Sequence, residues 1–350
     1  GVDPDDSSET DFASETESLV TDTDYDDIDI YVSMPCGSGK TVVAIECIRH
    51  WINKMKNISP HSGGLGRISN GIDRHDPIVT CCMYVPSLGL LEQFMDTVKL
   101  FGISAHPVFG RSEYEDGHDL YVCTYQSAFK IRDVKFGLVV LDEAHHVDTY
   151  EEMTDHGFKS DEEKAIRRRF TENILATPCS KRLHMSATLK DSDSAHYEYT
   201  IESAIADGVV CEYEVIVPVV QPETQPMDAL VDLMSTHPEL TKILAYCNTV
   251  KHAVEFCEKC NEIMPKSCLS FDGSTPKAKR QEIMESFRIG PTRILSTVHV
   301  LGEGIDLPMA DCCAFIEPRH ARVDVIQCLG RILRVYPGKT VSRVILPSTN

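Results

Sequence analysis

Basic residues are scarce in this sequence and missing from its start. The 350 residues carry 34 lysines and arginines against 54 acids, a formal net charge of −20. Residues 1–30 hold twelve of those acids and no base, so more than half of the excess lies there. An acidic chain of this kind argues against a generic basic nucleic-acid binder. It still allows a grip on a phosphate backbone through main-chain donors and a few local cations. No run approaches the apolar length of a membrane span, and no secretory apolar region opens the chain. The fourteen cysteines are scattered and read as reduced thiols of an intracellular protein. Cys257 and Cys260 form a Cys-x-x-Cys pair, but no second pair stands at zinc-ligand spacing, so they read as core.

What is present is a globular composition, 42% hydrophobic and 25% charged, at a length that suggests two domains. Residues 1–27 are Asp, Glu, Ser and Thr with little to bury, and are expected to be a disordered acidic tail. Residues 28–212 and 213–350 each alternate short apolar strands with helical spacing, the pattern of α/β folds with parallel sheets. Ser59 to Asp76 is expected to be a long insertion.

Ile28 to Ser33 reads as a strand, Met34 to Thr41 is MPCGSGKT, and Val42 onward has helical spacing. Strand, glycine loop and helix is the setting of a phosphate-binding loop. Pro35, Cys36, Gly37, Ser38 and Gly39 would wrap a phosphate. Lys40 would reach the β and γ phosphates, and Thr41 would offer a hydroxyl to Mg²⁺. The usual first glycine is missing, and Met34 stands there.

The run Phe136 to His146, FGLVVLDEAHH, is a buried parallel strand that ends in two acids. Carboxylates at the carboxyl end of a central strand sit where open α/β sheets bind ligands. Asp142 and Glu143 can divide labour there, one holding a metal through water and the other activating a water. Further strands end in Pro86-Ser87, in Thr124-Tyr125-Gln126-Ser127 and in Ser186-Ala187-Thr188. Singly, such hydroxyls are mostly helix caps. Arg167, Arg168 and Arg169 read as a solvated helix face. Tyr197 to Tyr213 is expected to be helical up to a turn at Gly208. Thr297 to Pro308 is a glycine-interrupted loop, and Asp324 to Arg334 a helix with Gln327, Arg331 and Arg334 near one face.

In this order, GSGKT, Pro-Ser, TYQS, DEAHH, SAT, EGIDLP and QCLGRILR resemble the superfamily 2 helicases and translocases. The wording is close to the branch of UvrB and restriction-enzyme helicase subunits. The resemblance covers about residues 28–350. It implies two tandem RecA-like domains, a P-loop NTPase, using ATP and Mg²⁺ on DNA or RNA. It assigns Mg²⁺ to Asp142 and Thr41, the attacking water to Glu143, and γ-phosphate sensing to His145. Ser186 and Thr188 would couple that site to the nucleic acid. Arg331 and Arg334 would be arginine fingers, with Gln327 near the γ phosphate and Gly304 and Asp306 at the nucleotide. Pro86, Ser87, Thr124 and Thr297 would line the nucleic-acid track, with Asn248 and Thr249 beside them. Family members also carry a glutamine-bearing helix upstream that reads adenine, whereas no glutamine precedes Gln93 here. Accessory domains are expected from partner proteins. The rival expectations are a translocating motor without strand separation and a nucleotide- or nucleic-acid-binding module that turns over weakly or not at all.

Overall fold

The computed structural model describes residues 29–58, 78–148, 161–189, 195–220, 223–298, 307–319 and 322–347. The expected acidic tail, the insertion at 59–76, and Gly304 and Asp306 lie outside them. The chain forms two compact units, one holding the strand that ends at Ser33 and Gly39–Glu198, the other Met34–Ser38 and the chain from Tyr199 onward.

The first unit contains strands β1 (Asp29–Ser33), β2 (Cys81–Val85), β3 (Ala105–Val108), β4 (Leu120–Thr124), β5 (Phe136–Asp142), β6 (Cys179–Ser186) and β7 (Tyr197–Glu198). Its helices are α1 (Lys40–Ile58), α2 (Leu88–Leu100), the single turn α3 (His145–Asp148) and α4 (Asp161–Ala176), with a 3₁₀ turn at Tyr125–Lys130. The strands form one parallel sheet in the order β3-β4-β2-β5-β6-β1-β7. Every residue of β2, β4 and β5 is buried. That is why these strands read as continuous apolar runs without alternation. Helix α1 turns Ala44, Ile45, Ile48 and Ile52 inward, the three-to-four spacing of one covered face.

Sequence periodicity does not reveal β3, which carries Pro107. It is an edge strand, where proline's missing donor breaks no ladder. The region expected to be helical from Tyr197 instead opens with β7, paired to β1 through Val32 and Tyr197. The helix starts late because the Thr200 hydroxyl caps Ser203 N at 3.2 Å.

The second unit contains α5 (Ile201–Ala206), β8 (Glu212–Ile216), α6 (Pro226–Thr236), β9 (Ile243–Tyr246), α7 (Val250–Ile263), β10 (Cys268–Phe271), α8 (Lys277–Ile289), β11 (Ile294–Thr297), β12 (Cys312–Phe315), α9 (Arg322–Ile332) and β13 (Val341–Ile345). Its sheet is also parallel, in the order β10-β11-β9-β12-β13-β8. Helix α5 belongs here, on the far side of the expected junction at 212/213, because Ala204 packs with Val210 and Leu333.

Partly or fully buried arginines gather main-chain carbonyls at element ends. Arg182 donates to Leu175 O and Thr177 O at 3.1 and 3.2 Å, just past the end of α4. Arg293 reaches Met234 O, His237 O and Leu240 O at 3.1, 2.8 and 2.8 Å. Arg319 reaches Cys247 O and Val298 O at 3.0 and 2.8 Å. All fourteen cysteines are free; Cys36, Cys179 and Cys257 are half-buried and the rest buried. Burial pushes the Cys47 thiol up to about 11 and the Cys328 thiol up to about 12.

At the amino end of the first sheet, Asp29 accepts from Arg182 and lies against His184 Nε2, both at 2.9 Å. The His184 hydrogen bond, then Arg182, hold its carboxyl down at about 2 against partial burial. Its pKa is lower folded than unfolded, so it stabilises the fold above about pH 4. That contribution fades as pH falls toward 2. Asp29→Asn is expected to cost about 1 kcal/mol at pH 7 after solvent screening, roughly 2–4 °C in Tm. The difference between the two proteins should vanish near pH 2, as a pH series of thermal melts would test.

Gly137 in β5 lies against Ile78 O and the indole of Trp51, so that a Cβ there would strike both. Trp51 Nε1 donates to the same Ile78 O at 3.1 Å. Gly137→Ala should therefore cost at least about 1–3 kcal/mol by overpacking. Because Trp51 is the chain's one tryptophan, the change should also shift the emission spectrum. Unchanged stability and emission would refute this packing.

Candidate active site

Parallel register brings the first unit's functional residues to one edge. Ser33 at the end of β1 pairs with Ser186 at the end of β6. Asp142 at the end of β5 pairs with Met185. The segment 34–39 leaves β1 at this edge and leads into α1. Within it Gly37 and Gly39 have φ of +84° and +92°, a backbone that side chains with a Cβ rarely adopt. A Cβ on Gly39 would meet nothing within 4 Å, so the space beside Gly39 is open. The Ser38 hydroxyl donates to Pro35 O at 2.7 Å and steadies the turn.

Lys40, the first residue of α1, is nearly buried and its Nζ lies 3.8 Å from Glu143 Oε1. Thr41 follows it, half-buried. Asp142 is buried, and its Oδ1 accepts from Glu143 N at 3.1 Å. Glu143 adopts φ +52°, the left-handed region, without being glycine. Strain of this kind persists only where the surroundings enforce it and is concentrated at functional sites. Here Ala144 N bonds Met185 O at 3.0 Å, pinning the turn to β6. Glu143 Oε2 is buried without a hydrogen-bond partner, 3.5 Å from His145 Nδ1.

His145 Nδ1 lies 3.0 Å from Ser186 Oγ, and Ser186 Oγ accepts from Thr188 N at 3.1 Å. Burial, then the charges of His146, Arg167 and Lys40, hold His145 down at about 3. It is therefore neutral at pH 7, a relay of hydrogen bonds without a charge of its own. The chain Lys40, Glu143, His145, Ser186, Thr188 is continuous.

Two partners of this site lie beyond what sequence pattern shows. The Tyr125 hydroxyl donates to Asp142 O, fixing the carbonyl beneath the two acids. Arg167 contacts His146 Nδ1, while Arg168 pairs with Glu172 on the exposed side. The expected solvated arginine face is thus divided, with Arg167 turned inward. An i, i+4 acid marks Arg168 as the surface residue; no local signal marks Arg167.

The remaining expected residues have the following places within their own units. Ser87 caps α2, accepting from Leu90 N at 3.3 Å, and Pro86 O accepts from Gln126 Nε2 at 3.4 Å. Thr124 is buried and donates to Ser127 Oγ at 3.0 Å. In the second unit Thr297 is buried at the end of β11. Thr249 caps α7, accepting from His252 N at 3.1 Å. Asn248 N donates to Glu317 Oε2 at 2.7 Å. Gln327 and Arg331 lie half-buried on α9, and Arg334 falls beyond its end, in a bridge to Val210.

The donor set suits a nucleotide with Mg²⁺. Thr41 and Asp142 supply hard oxygens, and an unpartnered carboxylate oxygen and a lysine converge beside a loop with room for phosphate. Parallel sheets with such a loop beside an Asp-Glu strand end define a P-loop protein of the RecA-like helicase kind. The chain belongs to the superfamily 2 helicases. Residues 13–191 match the family described as type III restriction enzyme, res subunit, and residues 225–336 match the helicase conserved C-terminal domain.

Among relatives, UvrABC system protein B of Natronomonas pharaonis is 22% identical over 221 residues, 58% of this chain and 32% of that protein. This chain thus spans about a third of that relative's length. The ATP-dependent type ISP restriction-modification enzyme LlaBIII, solved bound to DNA, superposes with a TM-score of 0.70 at 17% identity. The match covers 96% of this chain and 27% of that one. Dbp5 of S. cerevisiae, solved with RNA and ADP BeF3, gives a TM-score of 0.58 at 16% identity, covering 93% and 81%.

If Glu143 is held in strain, glycine should relieve it. Glu143→Gly is expected to be up to about 1 kcal/mol more stable than Glu143→Ala. Denaturant titration of both variants checks this, and the opposite order would mean a relaxed turn.

Proposed function

We propose that this chain is a nucleic-acid-dependent ATPase that couples hydrolysis to unwinding of, or movement along, DNA or RNA. The observation that carries the reading is the continuous run from Lys40 through Glu143 and His145 to Thr188. It joins a phosphate-binding lysine to the hydroxyls at the end of β6.

In this reading the first unit, through Glu198, is the ATP-binding domain and the second, from Tyr199, is the helicase C-terminal domain. The main chain of residues 35–39 wraps the phosphates. Lys40 exchanges Glu143 Oε1 for the β and γ phosphates. Thr41 and Asp142 hold Mg²⁺, which when bound offsets phosphate charge. Glu143 orients the attacking water and takes its proton; its Oε2 has no competing hydrogen bond. Neutral His145 passes the state of the γ phosphate to Ser186 and Thr188.

Gln327, Arg331 and Arg334 are assigned to the transition state, where an arginine finger accounts for about 10³–10⁵ in rate. Gly304 and Asp306 are assigned to the nucleotide. Pro86, Ser87, Thr124 and Thr297 mark the nucleic-acid track. Thr124 and Thr297 are buried, so their part is to set the main chain that meets the strand. Partner proteins would supply strand separation or substrate choice.

The test is ATP hydrolysis with and without single-stranded DNA or RNA, beside Glu143→Gln. The rate should rise with one of the two nucleic acids. Glu143→Gln should lower it by about 10²–10⁴, the usual range for loss of a general base, while nucleotide binding persists. Lys40→Ala should weaken nucleotide binding itself. Turnover no higher than that of Glu143→Gln, under conditions where ATP binds, would overturn the motor reading and leave a binding module.

A further inference from the structure

Away from the nucleotide cluster, at the outer edge of the first sheet, two histidines and a glutamate converge. His106 lies in edge strand β3. Glu115 and His118 lie in the loop that joins β3 to β4. One ligand-capable atom of each stands within 4.8 Å of the other two. Two strands lie between β3 and β5 in the sheet order, a gap of three strand spacings or roughly 14 Å, so this cluster is separate from Asp142 and Glu143.

The loop is held in place independently of any ligand. Lys130 Nζ donates to Gly110 O, Ser112 O and the Glu113 carboxylate at 2.7, 3.0 and 2.7 Å. The Ser112 hydroxyl donates to Pro107 O at 2.7 Å, tying the loop back to β3. The Tyr121 hydroxyl donates to Glu115 O at 2.8 Å and accepts from His118 N at 3.4 Å. The main chain on which Glu115 and His118 sit is therefore fixed opposite His106.

Each imidazole also has one ring nitrogen engaged by a protein oxygen. His106 Nε2 lies 2.8 Å from Glu113 O, and His118 Nδ1 lies 3.2 Å from Ser104 Oγ. This is the second-shell pattern of metal-binding histidines, in which one nitrogen is anchored and the other keeps its lone pair. The rings stack with centroids 4.9 Å apart. Both histidines are half-buried and Glu115 is exposed, so an ion has access from solvent.

We propose that His106, Glu115 and His118 bind a divalent transition-metal ion, with Zn²⁺ as the first candidate. Two imidazoles and a carboxylate match Zn²⁺, Co²⁺, Ni²⁺ and Cu²⁺ better than Mg²⁺ or Ca²⁺, which prefer all-oxygen sites. Three protein ligands with a water in the fourth position complete a tetrahedron. Ligand atoms in such a tetrahedron stand about 3.3 Å apart. Rotation of the exposed Glu115 side chain closes the remaining gap. The ion would clamp the loop onto edge strand β3 and shield that edge from pairing with another chain.

The measurement is a Zn²⁺ titration of chelator-stripped full chain, under reducing conditions, against a chromogenic chelator. It is run beside Glu115→Gln, His106→Asn and His118→Asn. The wild type should bind one equivalent that the histidine variants lose and that Glu115→Gln binds at least about tenfold more weakly. The Co²⁺ form should lack thiolate-to-metal charge transfer, which separates this site from the cysteines. Zn²⁺ should slow hydrogen exchange in residues 109–119. If a histidine variant does not fold, the exposed Glu115→Gln carries the comparison. No bound equivalent, an equivalent that all three variants retain, or a Co²⁺ spectrum with thiolate bands would overturn the proposal.

Discussion

Parallel strand register is the constraint on which the rest of this molecule depends. Ser33 against Ser186 and Asp142 against Met185 place a loop, two acids and a hydroxyl at one edge. A slip of one residue would turn Asp142 and Ser186 to the opposite faces of the sheet. Full burial of β5 on both faces makes such a slip expensive, because each apolar contact would change partner. The left-handed Glu143 follows from the same constraint. The strand must end, turn and return Ala144 to β6 within two residues, and the main chain accepts an unfavourable angle to do so.

Much of this was legible in the sequence because it is local. A glycine loop between strand and helix, or an apolar run ending in Asp-Glu, contains its whole meaning within ten residues. Ser87, read singly as a helix cap, does cap α2. Partnerships across many residues were not legible. Tyr125 finds Asp142, Arg167 finds His146, and Arg182 finds Asp29 only once the sheet is assembled. Edge strand β3 escaped for a related reason. It pairs on one side alone, so it tolerates Pro107, which a central strand would exclude. The track residues fall between these cases. Ser87 has the capping role its type suggests, whereas Thr124 and Thr297 sit deeper than strand-end hydroxyls normally do.

Arginine does more for the architecture than the chain's acidic balance suggests. Arg182, Arg293 and Arg319 each collect carbonyls that no helix or strand would otherwise satisfy. The guanidinium's fixed fork suits this task, since it can reach several main-chain oxygens at once without deprotonating. At the ends of α4 and α6 the cation also faces the negative pole of the helix. Few cations are present, and several of them brace the framework rather than face solvent.

The cysteines give the molecule an internal clock. With eleven of fourteen thiols buried in the two units, alkylating reagents have only the half-buried Cys36, Cys179 and Cys257 within reach in the native state. Each buried thiol becomes reactive only when its own part of the fold opens, because the thiolate is the reacting species. Cys82 and Cys123 would time the opening of the first unit, and Cys312 and Cys313 that of the second. Half-buried Cys36, inside the phosphate loop, would register occupancy of that loop instead. One reagent and a mass spectrometer could thus follow the breathing of each unit separately, without adding a label to the chain.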